Sequence, residues 1–170
     1  MVRVYVGIGS NIDPDRQVRL ALGTLRAQFG PLVISPVYRS KALGFTGDDF
    51  YNLVVGLDTS MAPMELADTL RRIEADHGRV RTRDKAIART LDLDVLTYGD
   101  QILHEGRLVL PRSDITRYAF VLRPLADIAP DERHPALGVR YSDLWAGFDA
   151  AAHPLERIRL DPEDADGQQA

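Results

Sequence analysis

Asp92 and Asp94, within RTLDLDVLTYG at residues 89–99, are the side chains whose type and spacing most clearly could do chemistry. At positions i and i+2 of an extended strand, two side chains face the same way. Their Cα atoms then stand about 6.6–7 Å apart. Two carboxylates so placed can bind one cation from two sides or bridge a pair. Magnesium favours this hard oxygen environment and commonly shares its shell with phosphates. Leu91, Leu93 and Val95 point the opposite way, toward a core. By itself an LDLD segment is most often the solvated face of a half-buried strand. The residues before it raise the functional reading, because 77–89 carry Arg79, Arg81, Arg83, Lys85 and Arg89. Such cations can balance the charge of a polyphosphate while the aspartates hold metal. Lys85 and Arg89 are the best placed, being nearest the strand.

Other candidates are weaker. Phe50, Tyr51 and Asn52 can line an aromatic pocket with an amide for a polar heterocycle, or simply pack in a strand. Gly9-Ser10-Asn11 reads as a strand-to-helix turn and lacks the lysine and spacing of a Walker loop. The four histidines are widely spaced, with no zinc-ligand pair on an evident helix. There is no cysteine, so disulfides, thiolate zinc sites and cysteine nucleophiles are excluded. No serine-nucleophile motif is evident.

The elements that must position these residues follow from periodicity. Val2, Val4, Val6 and Ile8 alternate with Arg3, Tyr5 and Gly7 and predict a strand. Asn11 or Asp13 caps a helix with Pro14 in its first turn and Val18, Ala21, Leu22, Leu25 and Phe29 on one face. Leu32–Arg39 reads as a second strand, with Pro36 at a bulge or edge. Tyr51, Leu53, Val55 and Leu57 mark a third strand. Thr59 or Ser60 caps a helix with Leu66, Leu70 and Ile73 inside. Thr90–Tyr98 is a strong strand, followed by a short hairpin across 101–110. Asp114 starts a short helical stretch, and Val121, Leu125 and Ile128 mark another with Pro124 near its start.

The order β-α-β-β-α-β fits a ferredoxin-like split βαβ sandwich (α+β), with an antiparallel sheet, helices on one sheet face and C-terminal helical additions. The 170 residues suit one domain over 1–160, with DPEDADGQQA at 161–170 as a disordered tail. A net charge of −4 argues against general nucleic-acid binding while leaving room for a local basic pocket. No apolar run approaches the roughly 20 residues of a membrane span. The N-terminus does not read as a secretory signal, and a cytoplasmic location is expected.

Taken together, GSN at 9–11, FYN at 50–52, RIEADHGRVR at 72–81, RTLDLDVLTYG at 89–99, LPRSD at 110–114 and FVLRPLADIAPD at 120–131 resemble the 6-hydroxymethyl-7,8-dihydropterin pyrophosphokinase family. The resemblance runs in unbroken order over roughly residues 2–145, and RTLDLD is its most specific motif. It implies transfer of the β,γ-pyrophosphoryl unit of ATP to the pterin hydroxymethyl oxygen, with release of AMP, in folate biosynthesis. Its implied partners are ATP, a small-molecule pterin and magnesium, two ions in the family's pattern. By that resemblance Asp92 and Asp94 are metal-binding and catalytic. Phe50, Asn52 and Phe120, with Leu43 and Gly44, contact the pterin. Glu74, Arg79, Arg81 and Arg89 serve the nucleotide or a mobile catalytic loop, and Arg79, Arg81 and Arg89 are catalytic with the two aspartates. Lys85 joins the nucleotide side from its place in the cationic segment, and the charge of His77–Arg89, its small residues at 86 and 88 and its position before the acidic strand make it read as a lid.

Three departures from the family pattern stand out. Ala86, Ile87 and Ala88 replace a Trp-Gly-Pro run, Arg112 replaces a histidine, and Tyr118 replaces an arginine. Arg112 and Tyr118 are kept as nucleotide-side candidates. The alternatives are a divergent paralogue with altered pterin or nucleotide use, and a noncatalytic ferredoxin-like module that binds nucleotide, RNA or protein. Against the second, no RNP-like aromatic strand motif is visible, and the LDLD face repels phosphate without metal.

Overall fold

A computed structural model describes residues 1–41, 49–78 and 91–160. Five strands form the path of one antiparallel sheet, in the order β5-β1-β4-β3-β8. They are β1 (Val2–Ser10), β3 (Val37–Ser40), β4 (Phe50–Thr59), β5 (Asp92–Tyr98) and β8 (Glu156–Ile158). A two-residue strand, β2 (Val33–Ile34), pairs with β4 off that path. β6 (Leu103–Glu105) and β7 (Leu108–Leu110) make a separate hairpin. The ferredoxin-like α/β reading holds.

One sheet face is a conventional core. Val4, Val6 and Ile8 of β1, Leu53, Val55 and Leu57 of β4, and Leu93 and Val95 of β5 are buried together. They pack against α1 (Pro14–Phe29) through Val18, Leu22 and Leu25, and against α2 (Pro63–Asp76) through Leu66, Leu70 and Ile73. These are the stripes the sequence predicts, since period-2 and period-3.6 patterns each present one apolar face.

The expectation that helices lie on one face needs correction. Tyr5, Val54 and Leu96 form a second core on the opposite face. They pack with Ile115 of α3 (Asp114–Arg117), with Val121, Leu122 and Leu125 of α4 (Ala119–Ile128), and with Tyr141 of α5 (Tyr141–Ala146). Periodicity hid this layer, because Tyr5 falls in the polar phase of β1 yet is only 4% exposed. A register shift at Tyr5/Val6 in the β1–β5 pairing skips Leu96, which joins the second core.

Four local expectations change as well. Pro124 is the sixth residue of α4, inside the helix rather than near its start. Its ring removes the bond that an N–H would give to the Phe120 carbonyl. Burial of Val121, Leu122, Pro124 and Leu125 holds the helix instead. The N-cap of α2 is Ala62, not Thr59 or Ser60; the Thr59 hydroxyl accepts from the Met61 N–H at 3.1 Å, a turn ahead of the helix. Asp13 is the N-cap of α1, but in left-handed backbone (φ 46°) without a side-chain capping bond. The strand read across 32–39 splits at Ser35–Pro36, where the Ser35 hydroxyl accepts from the Val54 N–H at 2.9 Å. The 161–170 tail lies outside the described residues.

Candidate active site

Among the described residues the second face is covered only in part, and the uncovered part is a cavity of about 310 Å³. Its floor is the sheet. In register, Gly9 pairs with both Asn52 and Asp92, and Gly7 with both Val54 and Asp94. All of these face the cavity side. A Cβ at Gly9 would lie 2.9 Å from Asn52 Oδ1, and one at Gly7 3.4 Å from Leu96 Cδ2. Two glycines therefore keep the floor open between the amide and the carboxylates.

The walls come from distant parts of the chain. Phe50 and Asn52 project from β4, and Asn52 Nδ2 donates to Ser40 Oγ of β3 at 3.4 Å. Phe120, at the start of α4, supplies the other wall. Tyr118 stacks beside it, with ring centroids 5.0 Å apart and planes 16° from parallel. Phe50, Asn52 and Phe120 thus meet on one cavity despite their separation in sequence. Tyr118, read from sequence as a nucleotide-side residue, lines this same cavity.

A second cleft of about 440 Å³ lies along the outer edge of β5 and is lined by Arg71, Glu74, Arg107 and Arg112. Asp92, Asp94 and Arg112 line both this cleft and the first cavity. The edge of β5 is itself tied down. Glu74 is 4% exposed, and its Oε2 accepts from the Leu93 N–H at 2.8 Å, between the two aspartates. The Arg112 N–H donates to the Leu96 carbonyl at 2.9 Å.

The electrostatics concentrate at this junction. Burial pushes the Asp94 carboxyl well above the usual range, to about 7, and the neighbouring Asp92 charge adds to the shift. Arg112 opposes it, with Nη2 3.7 Å from Asp94 Oδ1. Asp114 aims that guanidinium, its Oδ2 accepting from Arg112 Nε at 3.0 Å. Asp94 keeps 29% of its side chain exposed, enough to meet a ligand. A crowded acid pair of this kind fits a divalent cation, which would relieve the repulsion. Among the described residues no group of three or more His, Asp or Glu side chains could hold a metal ion.

Leu43, Gly44, Arg79, Arg81, Lys85 and Arg89 lie outside the described residues, as do Ala86–Ala88 and most of the segment read as a lid. Several lining residues carry no site role in the sequence reading, among them Gly7, Gly9, Arg71, Asp114 and Arg107. Glycines at i and i+2, opposite the phase of Val4, Val6 and Ile8, were the available signal for the first two. Asp114 was visible in LPRSD only as part of a motif.

An aromatic cavity with an amide, a cleft lined by arginines and acids, and two carboxylates shared by both are the parts of a group-transfer site on a ferredoxin-like fold. A family model described as 7,8-dihydro-6-hydroxymethylpterin-pyrophosphokinase (HPPK) matches residues 5–130. The chain is 44% identical over 137 residues to 2-amino-4-hydroxy-6-hydroxymethyldihydropteridine pyrophosphokinase of Pseudomonas aeruginosa, covering 78% of this chain and 84% of that protein. It is 38% identical over 135 residues to the Haemophilus influenzae protein of the same name, covering 77% and 84%. It is also 34% identical over 147 residues to folic acid synthesis protein fol1 of Pneumocystis carinii, covering 84% of this chain and 20% of that one. Among solved structures, wild-type Plasmodium falciparum HPPK-DHPS with pterin and p-hydroxybenzoate superposes with a TM-score of 0.69 at 14% identity, over 85% of this chain and 41% of that chain. That likeness speaks to fold. The chain belongs to the 7,8-dihydro-6-hydroxymethylpterin-pyrophosphokinase family. It is an ATP-dependent pyrophosphokinase of folate biosynthesis.

Proposed function

We propose that the acceptor is 6-hydroxymethyl-7,8-dihydropterin, bound in the cavity of Phe50, Asn52 and Phe120, and that ATP occupies the cleft along β5. The observation that carries this reading is that Asp92, Asp94 and Arg112 line both spaces at once. A hydroxyl presented from one side and a β-phosphorus from the other then meet at the two carboxylates.

Each residue has a physical task in this reading. Phe50 and Phe120 offer ring faces to a flat heterocycle, and the Asn52 amide offers both a donor and an acceptor to its edge. Arg71, Arg107 and Arg112 balance triphosphate charge. Arg112, aimed by Asp114, stands where negative charge moves as the pyrophosphoryl group is transferred. Asp92 and Asp94 would hold magnesium, which supplies charge neutralisation and alignment of the phosphates when bound. Glu74 holds the β5 backbone between the aspartates, so both carboxylates keep their direction. The acceptor hydroxyl attacks the β-phosphorus directly, with AMP as the leaving group and no covalent intermediate on the chain.

Two magnesium ions, and a cytoplasmic location, belong to the same proposal. Among the described residues, no helix is long and apolar enough to cross a membrane. The test is AMP formation from ATP in the presence of magnesium and 6-hydroxymethyl-7,8-dihydropterin. Stoichiometric AMP that requires both metal and pterin supports the reading. Release of ADP, or turnover indifferent to the pterin, overturns it.

A further inference from the structure

The wall that carries Phe120 is not attached to the sheet by apolar packing alone. Phe120, Arg123 and Asp127 fall at i, i+3 and i+7 of α4, one stripe of the helix. Asp127 accepts a hydrogen bond from the Tyr38 hydroxyl of β3. Arg123 sits between two rings, 5.8 Å from the centroid of Tyr38 and 5.2 Å from that of Trp145 in α5. Its Nε is also 3.4 Å from Asp127 Oδ1. Tyr38, Arg123, Asp127 and Trp145 thus form one clamp between sheet and helices.

The strand end of this clamp leads into the cavity. Tyr38 is the register partner of Asn52, and Ser40, two residues on, accepts from the Asn52 amide. The helix end leads there too, because Asp127 lies two turns along α4 from Phe120, about 10 Å by the helical rise. The clamp therefore spans the two supports on which the opposite cavity walls are mounted.

We propose that Tyr38 and Asp127 are positioning residues that set the gap between Asn52 and Phe120, and so the affinity for the flat heterocycle, without touching it. This inference rests on reading that cavity as the pterin site. A second link of the same chemistry provides the control. The Tyr5 hydroxyl of β1 donates to Glu132, beyond the end of α4. That link holds the second layer to the sheet but leads to neither wall.

The test compares Tyr38→Phe, Asp127→Ala, Asp127→Asn and Tyr5→Phe with the unmodified enzyme. Steady-state constants are measured for each substrate, and pterin binding by calorimetry. Tyr38→Phe and Asp127→Ala should raise KM and Kd for the pterin about fivefold to tenfold, from lost alignment. KM for ATP should stay within about twofold in both. Asp127→Asn keeps an oxygen that can accept from Tyr38, and should lie closer to the unmodified enzyme than Asp127→Ala. Tyr5→Phe should lower the melting temperature while leaving the pterin constants within about twofold. The proposal is overturned if Tyr5→Phe weakens the pterin as much as Tyr38→Phe does. It is equally overturned if Tyr38→Phe leaves pterin binding unchanged, or if Asp127→Asn is no better than Asp127→Ala. If Asp127→Ala does not fold, Tyr38→Phe against Tyr5→Phe decides alone. Failure of the unmodified enzyme to turn over or bind the pterin would sink the site reading itself, a result distinct from any of these.

Discussion

The two faces of the one sheet are built from the same three adjacent strands, β5, β1 and β4, and serve opposite ends. On the face of α1 and α2, every inward position of β1, β4 and β5 near the centre is aliphatic, and the helices close over them. On the other face the same strands present Gly7, Gly9, Asn52, Asp92 and Asp94, and among the described residues the helices cover only the end that carries Tyr5, Val54 and Leu96. Stability comes chiefly from removing apolar surface from water, whereas a ligand site needs uncovered surface and under-satisfied polar groups. Separating these demands across a sheet about one residue thick lets each be met in full. The rigid face fixes the backbone whose other side chains do the chemistry.

The sharpest way to break this comparison is Asp94→Ala on the polar face. AMP formation should fall by about a hundredfold or more, as expected when a group stabilising transferred charge is lost. The melting temperature of the metal-free protein should not fall, since the carboxyl removed is a crowded one. Full turnover in this variant would detach the chemistry from that face. On the helical face, Leu22→Ala should do the reverse. It removes a fully packed side chain of α1 and should cost about 3 kcal/mol of stability. Turnover per folded molecule should stay unchanged, read from denaturant unfolding and the AMP assay together.

Gly9→Ala asks how finely the open floor is set. The added methyl group meets Asn52 Oδ1 at 2.9 Å and should turn the amide aside. Pterin affinity should drop about tenfold, the scale of modest overpacking, with nucleotide binding unaffected. Equal loss of both ligands would show that the two spaces do not act separately. The smallest effect is a pH slope. Asp94 in the folded protein takes up its proton near pH 7, whereas an unfolded chain does so near the ordinary value of 3.8. Between these, the folded state binds more protons, so stability of the metal-free protein falls as pH rises and levels off above about 7. Asp94→Asn should flatten that slope, and magnesium with nucleotide should oppose it. Melting temperatures at pH 5 and pH 8, with and without magnesium–nucleotide, check both points.

The residues that declared themselves in the sequence were those whose role is local. The i, i+2 spacing of Asp92 and Asp94 puts both on one side of any strand, because side chains alternate whatever the strand packs against. The stripe Val18, Leu22, Leu25 and the phase of Leu53, Val55, Leu57 likewise identify a helix and a strand facing one core. RTLDLD with FYN and FVLRPLADIAPD was enough to imply the family and its reaction. Pattern alone did not announce the second layer. Tyr5 looks like a polar-phase residue until α4 and α5 cover it, and Pro124 looks like a helix start until burial holds its helix together.

What tertiary structure decided was which distant residues share a space. Arg112 read as a substitution within a motif. Only the docking of its backbone on Leu96 and of its guanidinium on Asp114 brings it to Asp94. Glu74 read as a nucleotide-side acid; the fold sets it in the lining of the cleft along β5 and also on the Leu93 amide. Tyr118, read as a nucleotide-side residue, stacks beside Phe120. Sequence by itself determined the order of the main elements from β1 to α4, the acidic strand face and the family, because these depend on short-range periodicity and contiguous motifs; α5 and β8 were not foreseen. The cavity, its glycine floor and the junction of two binding spaces at one pair of carboxylates arise from strand register and layer packing. Those depend on contacts between residues far apart in the chain, which no local pattern records.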